Sequence, residues 1–151
     1  MLEQWYNPYL FVPFVAWFVA QSIKFIRAAI RGDINLKYFF VSGDMPSAHS
    51  AAVCALAVTA LVLNGFTSPI FGLSGFFAAV VIYDSFGVRR ASGDQAVVIN
   101  AILRNIDGKA KGKLSSVKVR EVLGHKPEEV VVGAILGALI ALLLNASHLY
   151  N

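Results

Sequence analysis

Four apolar stretches, residues 9–30, 46–63, 69–86 and 128–144, set the terms on which this chain can fold. A helix crossing the hydrocarbon core of a bilayer needs about 20 apolar residues, with a usual range of about 17 to 25, and each stretch falls near that length. Apolar residues make up 57% of the chain and charged residues only 15%, with a mean hydropathy of +0.64, which departs from the make-up of a water-soluble domain. The expectation is an all-α integral membrane protein: a single membrane domain over residues 1–151, built as a bundle of about four transmembrane helices. The opening MLEQWYNPYL has neither a positively charged start nor a small-residue cleavage site, so the first stretch is expected to stay in place as a membrane helix. Cys54 stands among Ala, Val and Leu and reads as an inert buried thiol; as the single cysteine it excludes an internal disulfide.

Charge placement gives the expected orientation. Lys24, Arg27, Arg31 and Lys37 flank or occupy the connection between the first two stretches. Arg89, Arg90, Arg104, Lys109, Lys111, Lys113, Lys118, Arg120 and Lys126 crowd the one before the last. The turn NGFTS and both termini carry no lysine or arginine. By the positive-inside rule both basic connections, including residues 87–126, lie in the cytoplasm and both termini outside. Cations that bind an anionic ligand would add to that count for a different reason.

Within the long connection Ser92 and Gln95 resemble a capping box, and Ile99, Ile102, Leu103 and Ile106 recur at helical spacing. That pattern predicts an amphipathic cytoplasmic surface helix over 93–106, followed by a basic linker, DGKAKGK, and a short helix over SSVKVREVL. Stretches two and four are rich in small residues, as in SAAVCALAVTA and VGAILGALIA, which suits close helix contact within a bundle and could also pair two copies into a homo-oligomer. Gly133 and Gly137 form a G-x-x-x-G, a spacing common in any Gly/Ala-rich helix. Stretch two runs from Pro46 to Asn64 and stretch four from Pro127 to Asn145, with the same spacing and similar ends, LVLN and LLLN. Either chance or a parallel duplication about an axis along the membrane normal would produce this.

The chemistry gathers where stretches two and four begin. In GDMPSAHS, Pro46 marks a helix start, which leaves the N–H groups of Ser47, Ala48 and His49 without intrahelical partners. Such an end attracts anions, the Ser47 hydroxyl adds a donor, and small Ala48 lets an oxyanion approach the backbone. His49 on the same turn could protonate a leaving oxygen, or it could snorkel to the interface above a helix capped by Asp44 or Ser47. In LGHKPEEVVVGA a second histidine, His125, stands at the matching place. If the helix begins just before it, His125 and Glu129 share a face and the carboxylate can fix the imidazole tautomer for nucleophilic attack. Glu129 could equally be a capping carboxylate and His125 a loop residue. Asp84 ends stretch three in YDSFGVRRASG, and Arg89 and Arg90 suit either bidentate phosphate binding or a positive-inside anchor. Lys24 is the most deeply placed cation of the first stretch and is expected to face protein or ligand, whereas Arg27 and Arg31 could snorkel.

The segments AQSIK, MPSAHS, YDSFGVRRASG and LGHKPEEVVVGAILG together resemble the divergent branch of the type 2 phosphatidic acid phosphatase superfamily, which is related to vanadium-dependent haloperoxidases. The resemblance covers nearly the whole chain. The broader superfamily carries a lysine followed by an R-P pair, a P-S-G-H, and an S-R pair followed by a histidine and an aspartate. Its last histidine attacks phosphorus, its middle histidine protonates the leaving group, and its lysine and arginines hold the phosphoryl oxygens, with neither metal nor other cofactor. Here Ser47 and His49 match the middle motif with Ala48 in place of glycine, and His125 and Glu129 match the nucleophile and its orienting acid. No R-P follows Lys24, Arg120 stands one residue closer to His125 than the motif asks, and Arg89 and Arg90 are the replacements at hand.

The resemblance implies a metal-independent lipid phosphate phosphatase acting on a monoester or pyrophosphate through a phosphohistidine. His125, His49 and Glu129 would be catalytic, and Lys24, Ser47, Ala48, Arg89, Arg90, Asp84 and Arg120 would make up the phosphate site. The expected partners are membrane lipids and not nucleic acid. The alternative is a non-catalytic lipid-phosphate binding or transport protein that keeps the anion site.

Overall fold

A computed structural model of the chain describes residues 6–32, 44–107, 119 and 124–146. Its described residues form five α-helices and no strand: α1 (Pro8–Ile30), α2 (Ala48–Asn64), α3 (Pro69–Phe86), α4 (Val88–Asp107) and α5 (Pro127–Leu144). Proline or a capping side chain explains most of the boundaries. Asn7 accepts from the Tyr9 N–H (2.9 Å) ahead of Pro8, and Ser68 accepts from the Phe71 N–H (3.1 Å) ahead of Pro69. The turn between α2 and α3 closes at Gly65, whose φ of +81° is a conformation glycine adopts without penalty.

Three boundaries differ from the sequence reading. α2 begins at Ala48, because Ser47 keeps an extended backbone (φ −68°, ψ 113°) and serves as N-cap. α4 begins at Val88, so Ser92 lies inside the helix and returns its hydroxyl to the Val88 carbonyl (3.1 Å) instead of starting a capping box. α5 begins at Pro127, which leaves His125 ahead of the helix and off the face that Glu129 occupies. Most of the linker and the short helix expected over 115–123 fall outside the described residues.

α2 is the central element, packed against α1, α3 and α5. Its partnership with α5 rests on glycine. A Cβ built on Gly133 would stand 2.3 Å from the Ser47 carbonyl oxygen, and one on Gly137 would stand 2.0 Å from that of Ala51. The G-x-x-x-G thus places two backbones in direct contact. At the same end the Ser47 N–H donates to the Glu129 carbonyl (2.9 Å), and at the other end the Asn145 amide donates to the Thr59 hydroxyl (3.3 Å). The two helices therefore run in the same direction, as equivalent elements of two repeats would. α1 adds an alanine-lined face, Ala16 and Ala20 meeting Ala48, Ala51 and Ala55 in the core. The remaining faces point away from the bundle: on α3, Leu73, Phe76 and Tyr83 are exposed while Ser74, Ala78 and Ser85 are buried.

Arg27 and Arg31 do not snorkel freely. Arg31 pairs with Asp44, and Arg27 donates to the Met45 carbonyl (2.8 Å) with its guanidinium 3.8 Å from Asp44, so the end of α1 clamps the loop that delivers α2. Burial alone would push the Asp44 carboxyl up. The hydrogen bonds from Arg31 and the Met45 N–H, with the charges of Arg31 and Arg27, outweigh it and hold the carboxyl below its ordinary value of 3.8. A lowered folded value adds stability that is present above the unfolded value and is lost as pH falls through the folded one. Melting of purified protein is therefore expected to show Asp44→Asn destabilised by about 1 kcal/mol near neutral pH. That gap should close as the pH is taken below the ordinary carboxylate value.

Candidate functional site

The last turn of α3 presents Val81, Asp84 and Ser85 on one face, at the spacing that aligns side chains along a helix. His49, on the first turn of α2, and His125, ahead of α5, turn toward that face. The five side chains line a single small pocket at the end of the bundle where α2 and α5 begin. His125 is buried at 2% exposure, and its N–H donates to the Ser85 carbonyl (3.3 Å), which ties the residue to the end of α3. His49 is exposed. The two histidines thus line one pocket, together with the acidic Asp84 and the apolar Val81.

Other expected members of the site are placed differently. Ser47 and Ala48 are closed over by packing, at 0% and 1% exposure. The Ser47 N–H is taken by the Glu129 carbonyl, and its hydroxyl oxygen accepts from both the Ser50 N–H (3.3 Å) and the Ser50 hydroxyl (2.9 Å). The start of α2 is thereby occupied by α5 and by its own cap, because Gly133 lets the neighbouring backbone come within reach of it. Glu129 accepts the Lys126 N–H through Oε2 (3.1 Å), closing the first turn of α5 as a capping carboxylate. Lys24 is buried at 5% exposure on α1 and lies within electrostatic reach of Asp44 and Glu129, off the histidine pocket. Arg89 and Arg90 fall in the first turn of α4, directly after the turn at Gly87 that follows the pocket-bearing end of α3. Arg120 lies outside the described residues.

Val81 and Ser85 were not singled out by the sequence, although their positions relative to Asp84 could have suggested a shared face. Asn100 is a further addition: buried on α4, its amide donates to the Val119 carbonyl (2.8 Å) and accepts the Val119 N–H (3.0 Å), pinning the connection that returns toward His125.

Residues 5–140 match the divergent PAP2 family, a span that contains every residue of the pocket. The chain belongs to that family. One relative, the uncharacterized membrane protein YuiD of Bacillus subtilis (strain 168), is 39% identical over 135 residues, which cover 83% of this chain and 85% of the relative. No solved structure matches the chain.

Proposed function

We propose that this protein is an integral membrane phosphohydrolase that removes phosphate from a lipid phosphate monoester or pyrophosphate. The observation that carries the reading is the shared pocket of His49 and His125. In this reading α1, α2, α3 and α5 cross the membrane. α1 and α5 are long and apolar enough to do so by themselves, and α2, with 17 residues, rises about 26 Å against a core of about 30 Å. The exposed Leu73, Phe76 and Tyr83 of α3 then face lipid, and exposed Ile99 and Ile102 let α4 rest on the membrane surface. The basic connections and the pocket lie on the cytoplasmic side and the termini outside. The membrane description of the relative supports the same setting.

Two buried-to-open environments suit the two histidines to different work. A neutral imidazole is the nucleophile in this reading, and His125, at 2% exposure, is the one of the pair held in place by packing. His125 attacks phosphorus, the bond from phosphorus to the lipid oxygen breaks, and His49 gives its proton to the departing alkoxide. Arg89 and Arg90 hold the phosphoryl oxygens as charge develops. Water then attacks the phosphohistidine, His49 takes its proton, and inorganic phosphate leaves with His125 restored. Lys24 balances the carboxylates of Asp44 and Glu129 instead of touching the phosphoryl group. Purified protein is expected to release phosphate from short-chain phosphatidic acid at a rate unchanged by chelators, and to carry acid-labile phosphate on histidine after rapid quenching. Absence of both would count against the reading.

A second reading has its own support. Closure of Ser47 and Ala48 by packing removes part of the expected phosphate cradle, which fits a protein that binds or moves a lipid phosphate without cleaving it. Saturable binding with no turnover across a panel of lipid phosphates would select it.

A further inference from the structure

We propose that Asp84 of α3, and not Glu129, is the positioning residue for the imidazole of His125. The inference rests on the phosphohydrolase reading for its activity readout only. Three observations lead to it. Asp84 lines the same small pocket as His49 and His125, whereas Glu129 does not. Glu129 is committed to the start of α5, its Oε2 accepting the Lys126 N–H (3.1 Å) and its carbonyl the Ser47 N–H (2.9 Å). His125 is tied through its own N–H to the carbonyl of Ser85, the residue next to Asp84, so ring and carboxylate are carried by one fixed piece of structure.

The sign of the charge supports this assignment over a place among the phosphate ligands. An ionised carboxylate repels a phosphoryl group, and within a pocket walled by Val81 the repulsion is less screened than in water. The same charge is useful to an imidazole. A carboxylate facing one ring nitrogen fixes which nitrogen carries the proton and leaves the other as the nucleophile; it also stabilises the cationic character that develops as the ring attacks phosphorus. Burial of His125 makes that orientation durable, because a ring at 2% exposure has little room to turn.

The test compares Asp84→Asn with Glu129→Gln in full-length protein in detergent, with short-chain phosphatidic acid as the probe. Glutamine can still accept the Lys126 N–H, so E129Q should keep kcat within about threefold. D84N should lower kcat about a hundredfold or more with KM unchanged or reduced, since a negative charge has left an anion site. Nitrogen NMR of histidine-labelled protein supplies a readout independent of turnover. Only His49, His125 and His148 carry the label, and the His125 ring shifts, which report its tautomer, should move in D84N and hold in E129Q. A wild-type kcat in D84N, a loss carried by KM alone, an E129Q loss matching that of D84N, or unmoved His125 shifts in D84N would each overturn the assignment. Wild-type protein that never turns over would count against the phosphohydrolase reading alone, and the His125 spectrum would still decide the role of Asp84.

Discussion

His125→Ala is expected to reduce phosphate release by about 10⁴-fold or more, while the protein accumulates in membranes as the wild type does. The magnitude follows from the role: without the ring the pocket loses the nitrogen that forms the bond to phosphorus, and the phosphoenzyme signal must vanish along with turnover. Stability should suffer less, because the hydrogen bond from the His125 backbone N–H to the Ser85 carbonyl of α3 is one that alanine retains. His49→Ala should behave differently. Loss of a proton donor typically costs about 10² to 10⁴ in rate, and that loss shrinks when the leaving group needs no proton. Formation of the phosphoenzyme by the H49A protein should therefore be impaired much less with a nitrophenyl phosphate, read as a burst of nitrophenolate, than with an alkyl lipid phosphate, while its hydrolysis is slowed alike with both. Equal impairment of phosphoenzyme formation on both substrates would remove His49 from the role of acid. Turnover by H125A would remove the nucleophile.

The second large effect concerns the frame. Gly137→Ala is expected to lower the stability of the folded bundle by about 3 kcal/mol, at the upper end of the cost of overpacking, and Gly133→Ala by a comparable amount. The added methyl at position 137 meets the Ala51 carbonyl oxygen at 2.0 Å and its Cα at 2.8 Å, so the obstacle is backbone and cannot rotate away. Shrinking the neighbour offers no relief: Ala51→Gly in the G137A background removes only a methyl and leaves the oxygen in place. Chemical unfolding in mixed micelles should show both variants displaced from the wild type, with the double variant no better than G137A alone. At position 133 the same separation of α2 from α5 would break the Ser47 to Glu129 bond and move His49 relative to His125, so activity should fall with stability. A G137A protein as stable as the wild type would mean that the two helices do not touch as described.

The sequence made some of this legible and hid the rest for physical reasons. Apolar length located all four long segments, and α3 occupies the 69–86 stretch as read, because a proline after a capping serine marks its start unambiguously. The small residues of α2 and α5 announced close helix contact within a bundle. What periodicity cannot say is which neighbour each side of a short motif will meet. In PSAHS, Ser47 turns into α5 because Gly133 vacates the space and Ala48 joins the alanine core, while His49 stays open toward α3. That division depends on residues some 80 positions away, and a G-x-x-x-G common in such helices gave no reason to expect it. Glu129 shows a related failure: a carboxylate three residues into a helix satisfies a capping box and a motif acid equally well on paper, and the geometry assigns it to the cap. That His49 and His125 line one pocket has a simpler basis. His49 stands in the first turn of α2 and His125 just ahead of α5, and these two helices run in the same direction, so both residues lie at one end of the bundle.

The most direct measurement of the central claim follows the three histidine side chains by NMR while orthovanadate, a mimic of the phosphoryl group in flight, is titrated into the purified protein. One anion held between the imidazoles requires the signals of His49 and His125 to shift together, with a common midpoint, while His148 stays still. Movement of one ring without the other, or two separate midpoints, would contradict the claim that both histidines act on a single phosphoryl group.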